Sequence, residues 1–174
     1  MKRILIALLT LCAVPAAAQA PATAPTTAVG SLKPLYTQGR QYVLAAAEQM
    51  PEADYGFKPT PAVRSFGQLV GHVANAQYMI CSAALGEQSP SRQNWEQTTG
   101  KAALLEALRG SNAVCDRAYE QSDASAMQMA SLFGQEQTRL GVLALNAAHD
   151  FEHYGNMVTY LRIKGMVPPS SQGN

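Results

Sequence analysis

The chain has 174 residues, 47% of them hydrophobic and 14% charged. That is one domain's worth of sequence, too apolar and too sparsely charged for a disordered chain or a long coiled coil. With 13 basic and 12 acidic residues and no basic block, neither a nucleic-acid surface nor an anionic-membrane surface is expected.

Met1-Lys2-Arg3, an apolar run from Ile4 to Val14 and the small-x-small pattern Ala18-Gln19-Ala20 read as a secretory signal peptide cut after Ala20. The run is shorter than the about 20 apolar residues an anchor needs. Cys12 raises the lipoprotein alternative, but Leu11 before it is bulkier than such sites prefer. Cleavage leaves 11 basic residues against 12 acidic ones, and two cysteines. The expected location is secreted or periplasmic, where disulfides persist and no membrane segment remains. Residues 21–30 (PATAPTTAVG) read as a disordered tether and 31–170 as the folded domain.

A first helix is expected from Leu32 to Met50, with Pro34 in its first turn and Pro51 as a stop. Residues 51–64 carry Pro51, Gly56, Pro59 and Pro61 and form a loop. A second helix starts after Ser65, a good N-cap, and ends at Gly86. The polar connection 87–100 holds Trp95, read as a plug for one bundle end or, alternatively, a substrate contact. A third helix covers Lys101 to Gln121. Residues 122–134 hold at most a short turn, with Met127, Met129 and Phe133 covering the core. A fourth helix runs from Gln135 to Lys164, closed by Gly165 and Pro168-Pro169. With no alternating β-branched run, the fold class is all-α, and four such helices pack most simply as a four-helix bundle.

The chain has three histidines. His149 and His153 are four apart on the fourth helix, one turn above each other on one face, which lets two imidazoles reach one metal ion. Asn146 and Asn156 share that stripe and are placed to hydrogen-bond the second ring nitrogens. His72 sits on the second helix with Leu69, Ala76 and Met79, a core-like face. Gly71, Ala76, Ala147 and Ala148 leave room for the helices to approach. A lone i, i+4 pair is commonly a hydrogen-bonded or surface feature, and a lone inward histidine is commonly a satisfied core residue. Metal binding therefore gains weight only from the convergence of all three. Asp150 and Glu152 lie about 100° and about 60° to either side of His149 and read as surface charges, Glu152 being the better placed to stand behind a ligand.

Residues 65–77 (SFGQLVGHVANAQ), 149–169 (HDFEHYGNMVTYLRIKGMVPP) and the loop DYGFKPTPAVRSF resemble motifs of the DinB/YfiT-like superfamily, and the similarity spans most of residues 32–170. The resemblance implies a four-helix bundle whose second and third helices run parallel across a long crossover. It also implies one divalent metal ion, with zinc and nickel among the family's metals, held by His72, His149 and His153. In that parallel arrangement Cys81 and Cys115 stand within ~3 Å of the same height, and an antiparallel one would part them by ~15 Å. A disulfide is thus allowed, with two buried free thiols as the alternative.

Two functions follow: a metal-dependent hydrolase or thiol S-transferase-like enzyme acting on a small molecule, or a non-catalytic metal-binding, stress-related bundle. The family's best-known chemistry uses cytosolic thiols such as mycothiol or bacillithiol, which fits an exported chain poorly. No general base is clearly aimed at the histidines, so no catalytic residue is assigned. A homodimer is left open.

Overall fold

The computed structural model describes residues 25–173. The expected signal peptide, Cys12 and the first residues of the tether lie outside them. Helix α1 spans Ala28–Gln49, α2 Phe66–Leu85, α3 Lys101–Ala118, α4 the single turn Asp123–Ala126, and α5 Arg139–Ile163. A two-stranded hairpin, β1 Met129–Leu132 and β2 Gln135–Thr138, precedes α5.

Local signals account for most of the boundaries. Ser65 and Gln68 form a capping box at the start of α2, and Gly86 ends it in the left-handed region at φ 73°. Helix α1 begins four residues before Leu32, so the last three residues of the expected tether are helical. Thr27 Oγ1 accepts from the Gly30 amide, and the Asp123 carboxylate accepts from the amides of Ala28 and Val29 at 2.9 and 3.0 Å. That second cap comes from 95 residues away, so no local pattern announces it.

The fourth helix also departs from expectation, starting at Arg139 rather than Gln135. Residues 135–138 pair with 129–132 across a Phe133-Gly134 turn in which both residues have positive φ, 54° and 76°. Such a two-residue turn matches the twist of its strands. Met127, Met129 and Phe133 do not cover the core: they are 59%, 56% and 67% exposed, and Ala126, Ala130 and Leu132 face inward instead. The architecture stays all-α, with this hairpin as an appendage.

Contacts fix the directions of the four long helices. Gly67 meets Leu104, Gln77 meets Ser111 and Cys81 meets Cys115, so α2 and α3 run parallel. Gln77 meets Asp150 while Arg64, just before α2, meets Tyr160, so α5 runs antiparallel to α2. Two apolar clusters fill the bundle. One gathers Tyr36, Ile80, Tyr119 and Leu143, and the other Val43, Phe66, Leu108 and Met157. A buried polar layer of Gln77, Ser111, Asn146 and Asp150 lies between them. Cys81 and Cys115 are joined in a disulfide at the edge of the first cluster, both sulfurs out of reach of solvent. Among the described residues, no helix is long and apolar enough to cross a membrane.

Candidate metal centre

The three histidines meet at the seam between α2 and α5. His149 Nε2 lies 3.3 Å from His72 Nε2 and 2.9 Å from His153 Nε2. Three nitrogens on a tetrahedral ion at Zn–N 2.0–2.1 Å would be about 3.3 Å apart. The spacing and the all-nitrogen donor set thus fit one divalent ion, and the three residues can hold it. Among the described residues they are the one grouping of three or more His, Cys, Asp or Glu side chains so placed. Burial, helped by the neighbouring histidines and Arg64, pushes His149 and His153 down to about 4. Both are therefore neutral at pH 7, as a ligand must be.

What orients the ligands was only partly foreseen. His72 Nδ1 lies 2.6 Å from Glu96 Oε1, and Glu96 Oε2 accepts from Arg64 Nε at 3.1 Å. Burial raises the Glu96 carboxyl, but the hydrogen bonds from Arg64 and His72 outweigh it and hold the group below its ordinary range. An anionic Glu96 keeps the His72 proton on Nδ1 and leaves the Nε2 lone pair free. Glu96 sits in a short 3-10 turn, Trp95–Gln97, of the crossover. Gly71 explains how that turn comes so close: a Cβ there would stand 2.3 Å from the Trp95 carbonyl oxygen. Gly71 therefore makes room for the crossover rather than for α5. Asn75 Oδ1 fastens the same turn by accepting from the Trp95 amide at 3.0 Å. Trp95 is half-buried, with its indole N–H donating to Ser91 Oγ at 3.0 Å.

The two asparagines part company. The Asn156 amide is 3.4 Å from His153 Nδ1. Only with its oxygen turned toward Nδ1–H does it leave Nε2 free for a metal. Asn146 hydrogen-bonds neither imidazole. It is fully buried, with Nδ2 donating to Asp150 Oδ2 at 3.4 Å and Oδ1 beside Cys81 Sγ at 3.3 Å. His149 Nδ1 is buried and, among the described residues, has no partner.

The expected placement of Asp150 on the surface is also corrected. Its carboxylate is fully buried and accepts from Gln77 Nε2 at 3.1 Å. Burial pushes it up to about 7 against the opposing effect of the Gln77 bond. The histidine face is not the bundle centre. The histidines lie at a seam, with the His72 side chain 24% exposed, so a residue 100° round the helix points further in. Met79, 41% exposed, lies on the outer side of the same seam. Glu152 is exposed, as expected.

A cleft of about 760 Å³ opens beside the histidines, between the loop 58–64 and the C-terminal half of α5. His153, Asn156 and Glu96 form part of its wall.

The chain also matches known proteins. The model of the DinB superfamily matches residues 35–157. The uncharacterised protein YjoA of Bacillus subtilis is 25% identical over 122 residues, which cover 68% of this chain and 79% of YjoA. Among solved structures, a DinB-like protein from Bacillus cereus superposes with a TM-score of 0.70 at 16% identity, over 80% of this chain and 94% of that one. A mycothiol-dependent maleylpyruvate isomerase superposes with a TM-score of 0.62 at 18% identity, over 76% of this chain and 63% of the isomerase. At these identities the structural likenesses speak for the fold. With the family model covering most of the folded part, the chain belongs to the DinB superfamily.

Proposed function

We propose that this protein binds one divalent metal ion, zinc or nickel, through His72, His149 and His153, and that it is a metal-dependent hydrolase or transferase of a small molecule outside the cytosol. The observation that carries the reading is the convergence of three Nε2 atoms, those of His72 and His153 lying 3.3 and 2.9 Å from that of His149. N–H···N hydrogen bonds satisfy such nitrogens only in pairs, whereas one cation takes all three lone pairs at once.

Held by these three neutral ligands, a divalent ion would keep its full charge and would supply Lewis-acid chemistry, activating water or polarising a carbonyl or thiol. The protein's own part is to orient and to protect. Glu96 holds the His72 proton away from the site, Asn156 stands behind His153, and the apolar seam keeps both α5 histidines neutral. The isomerase neighbour's name is mycothiol-dependent, so thiol transfer is the natural alternative chemistry. The export expected from residues 1–20 ranks it below hydrolysis.

One observation favours the second reading, a non-catalytic metal-binding protein. Both Glu96 oxygens and both Asp150 oxygens are already hydrogen-bonded, so neither carboxylate is free to serve as a general base. Elemental analysis of the purified protein should find about one ion per chain, and replacement of any one histidine by alanine should remove most of it. A stoichiometric ion that survives all three substitutions would overturn the site. A screen of ester and thiol substrates on the metal-loaded protein separates enzyme from metal binder.

A further inference from the structure

We propose that the cleft beside the histidines takes a small organic monoanion, whose carboxylate pairs with the Arg64 guanidinium while its apolar body lies along the cleft wall. The inference deepens the functional reading and rests on it in taking this cleft as the way in to the metal ligands.

Three observations support it. Arg64 is held at both ends: its carbonyl oxygen accepts from Tyr160 Oη at 2.6 Å, and its Nε donates to Glu96 Oε2 at 3.1 Å. Its two terminal nitrogens have no hydrogen-bond partner among the described residues, and its side chain is 44% exposed. A guanidinium fixed by Nε with its other edge free is set up for two-point contact with a carboxylate. Next, the charges that line the cleft are Lys58, Arg64 and Glu96. Two cationic side chains against one carboxylate make this wall favour an anion. Finally, Pro59, Pro61, Val63 and Leu69 make much of the wall apolar, and about 760 Å³ is in the range of small-molecule sites.

The test uses benzoate and its uncharged isostere benzamide, titrated by chemical-shift perturbation into the full mature protein after metal has been removed with EDTA. Benzoate should saturate with shifts centred on Arg64, Thr159 and Tyr160, and benzamide should bind at least fivefold more weakly. Arg64→Met should weaken benzoate by a similar factor, Lys58→Met by less, and Arg64→Lys should recover part of the loss with an unchanged fold by circular dichroism. Equal binding of the two ligands, unchanged benzoate binding by Arg64→Met, or no saturable binding would each overturn the proposal. Zinc content is measured on separate reloaded samples of the same variants. Absence of zinc from the wild type would sink the metal reading while leaving the benzoate result to be judged alone.

Discussion

Two polar clusters interleave along α5, Asn146 and Asp150 with His149 and His153, and they are built on opposite plans. In the inner one every donor has an acceptor: Ser111 Oγ donates to Gln77 Oε1 at 2.6 Å, Gln77 Nε2 to Asp150 Oδ1, and Asn146 Nδ2 to Asp150 Oδ2. In the outer one three imidazole nitrogens face one another, and among the described residues hydrogen bonds between them can pair only two at a time. A buried polar group that is fully paired specifies a fold. Convergent lone pairs left unpaired specify a ligand. The inner cluster should therefore answer to stability measurements and the outer one to metal measurements.

The largest separation should come from the disulfide that flanks the inner cluster. The Cys81–Cys115 bond closes a loop with a sequence separation of 34. Chain entropy gives about 3–4 kcal/mol for such a loop. Replacing both cysteines by alanine should lower the melting temperature by many degrees and leave the metal content of the surviving folded protein unchanged. Metal lost in proportion would show that the two regions are not independent.

Gln77→Met is the next sharpest cut. It keeps the volume and removes the amide that bridges Ser111 and Asp150, leaving Asp150 Oδ1 without its partner and Ser111 Oγ with the Leu108 carbonyl alone. The expected cost is about 2–3 kcal/mol in denaturant unfolding, again with the metal retained. The converse is Glu96→Gln, which should weaken metal binding about 10-fold or more in a competition titration and barely move the unfolding of the metal-free protein. Gly71→Ala should weaken metal binding too, because its methyl group must push away the Trp95 carbonyl and with it Glu96.

The two clusters also differ in how well they could be read beforehand. The His149–His153 pair follows from helix arithmetic, and His72 from the family resemblance. Glu96 carries no such signature. It lies in an aperiodic crossover, 24 residues from its partner, and reaches His72 because Gly71 has no side chain. Asp150 was misplaced because angles round α5 locate a residue relative to His149 and leave open whether His149 faces a centre or a seam. The hairpin was missed for a related reason. Gln135-Glu136-Gln137-Thr138 shows no strand pattern of its own, and its pairing is imposed by the Phe133-Gly134 turn and β1.

The last and smallest contrast is in pH dependence, read on the metal-free protein as a change of slope. Burial first, then the neighbouring positive charges, holds His149 and His153 at about 4, below the ordinary value of 6.5. The unfolded chain therefore takes up protons before the folded one does. Their contribution is complete above pH 6.5 and is lost as pH falls through about 4. Asp150 has the opposite sign. Burial raises it from 3.8 to about 7, so the folded state holds a proton that the unfolded chain has released. Its contribution is complete below pH 3.8 and is lost as pH rises through about 7. Stability measured by urea unfolding should thus fall on both sides of a maximum between about pH 4 and 7. Because the two windows overlap, with two histidines outweighing Asp150 below pH 6.5, Asp150→Asn should remove the alkaline fall and steepen the acid one, and His149→Gln should flatten the acid limb. If one substitution flattened both limbs, the clusters would titrate as a single coupled unit, and the division between a structural and a ligand-binding polar layer would fail.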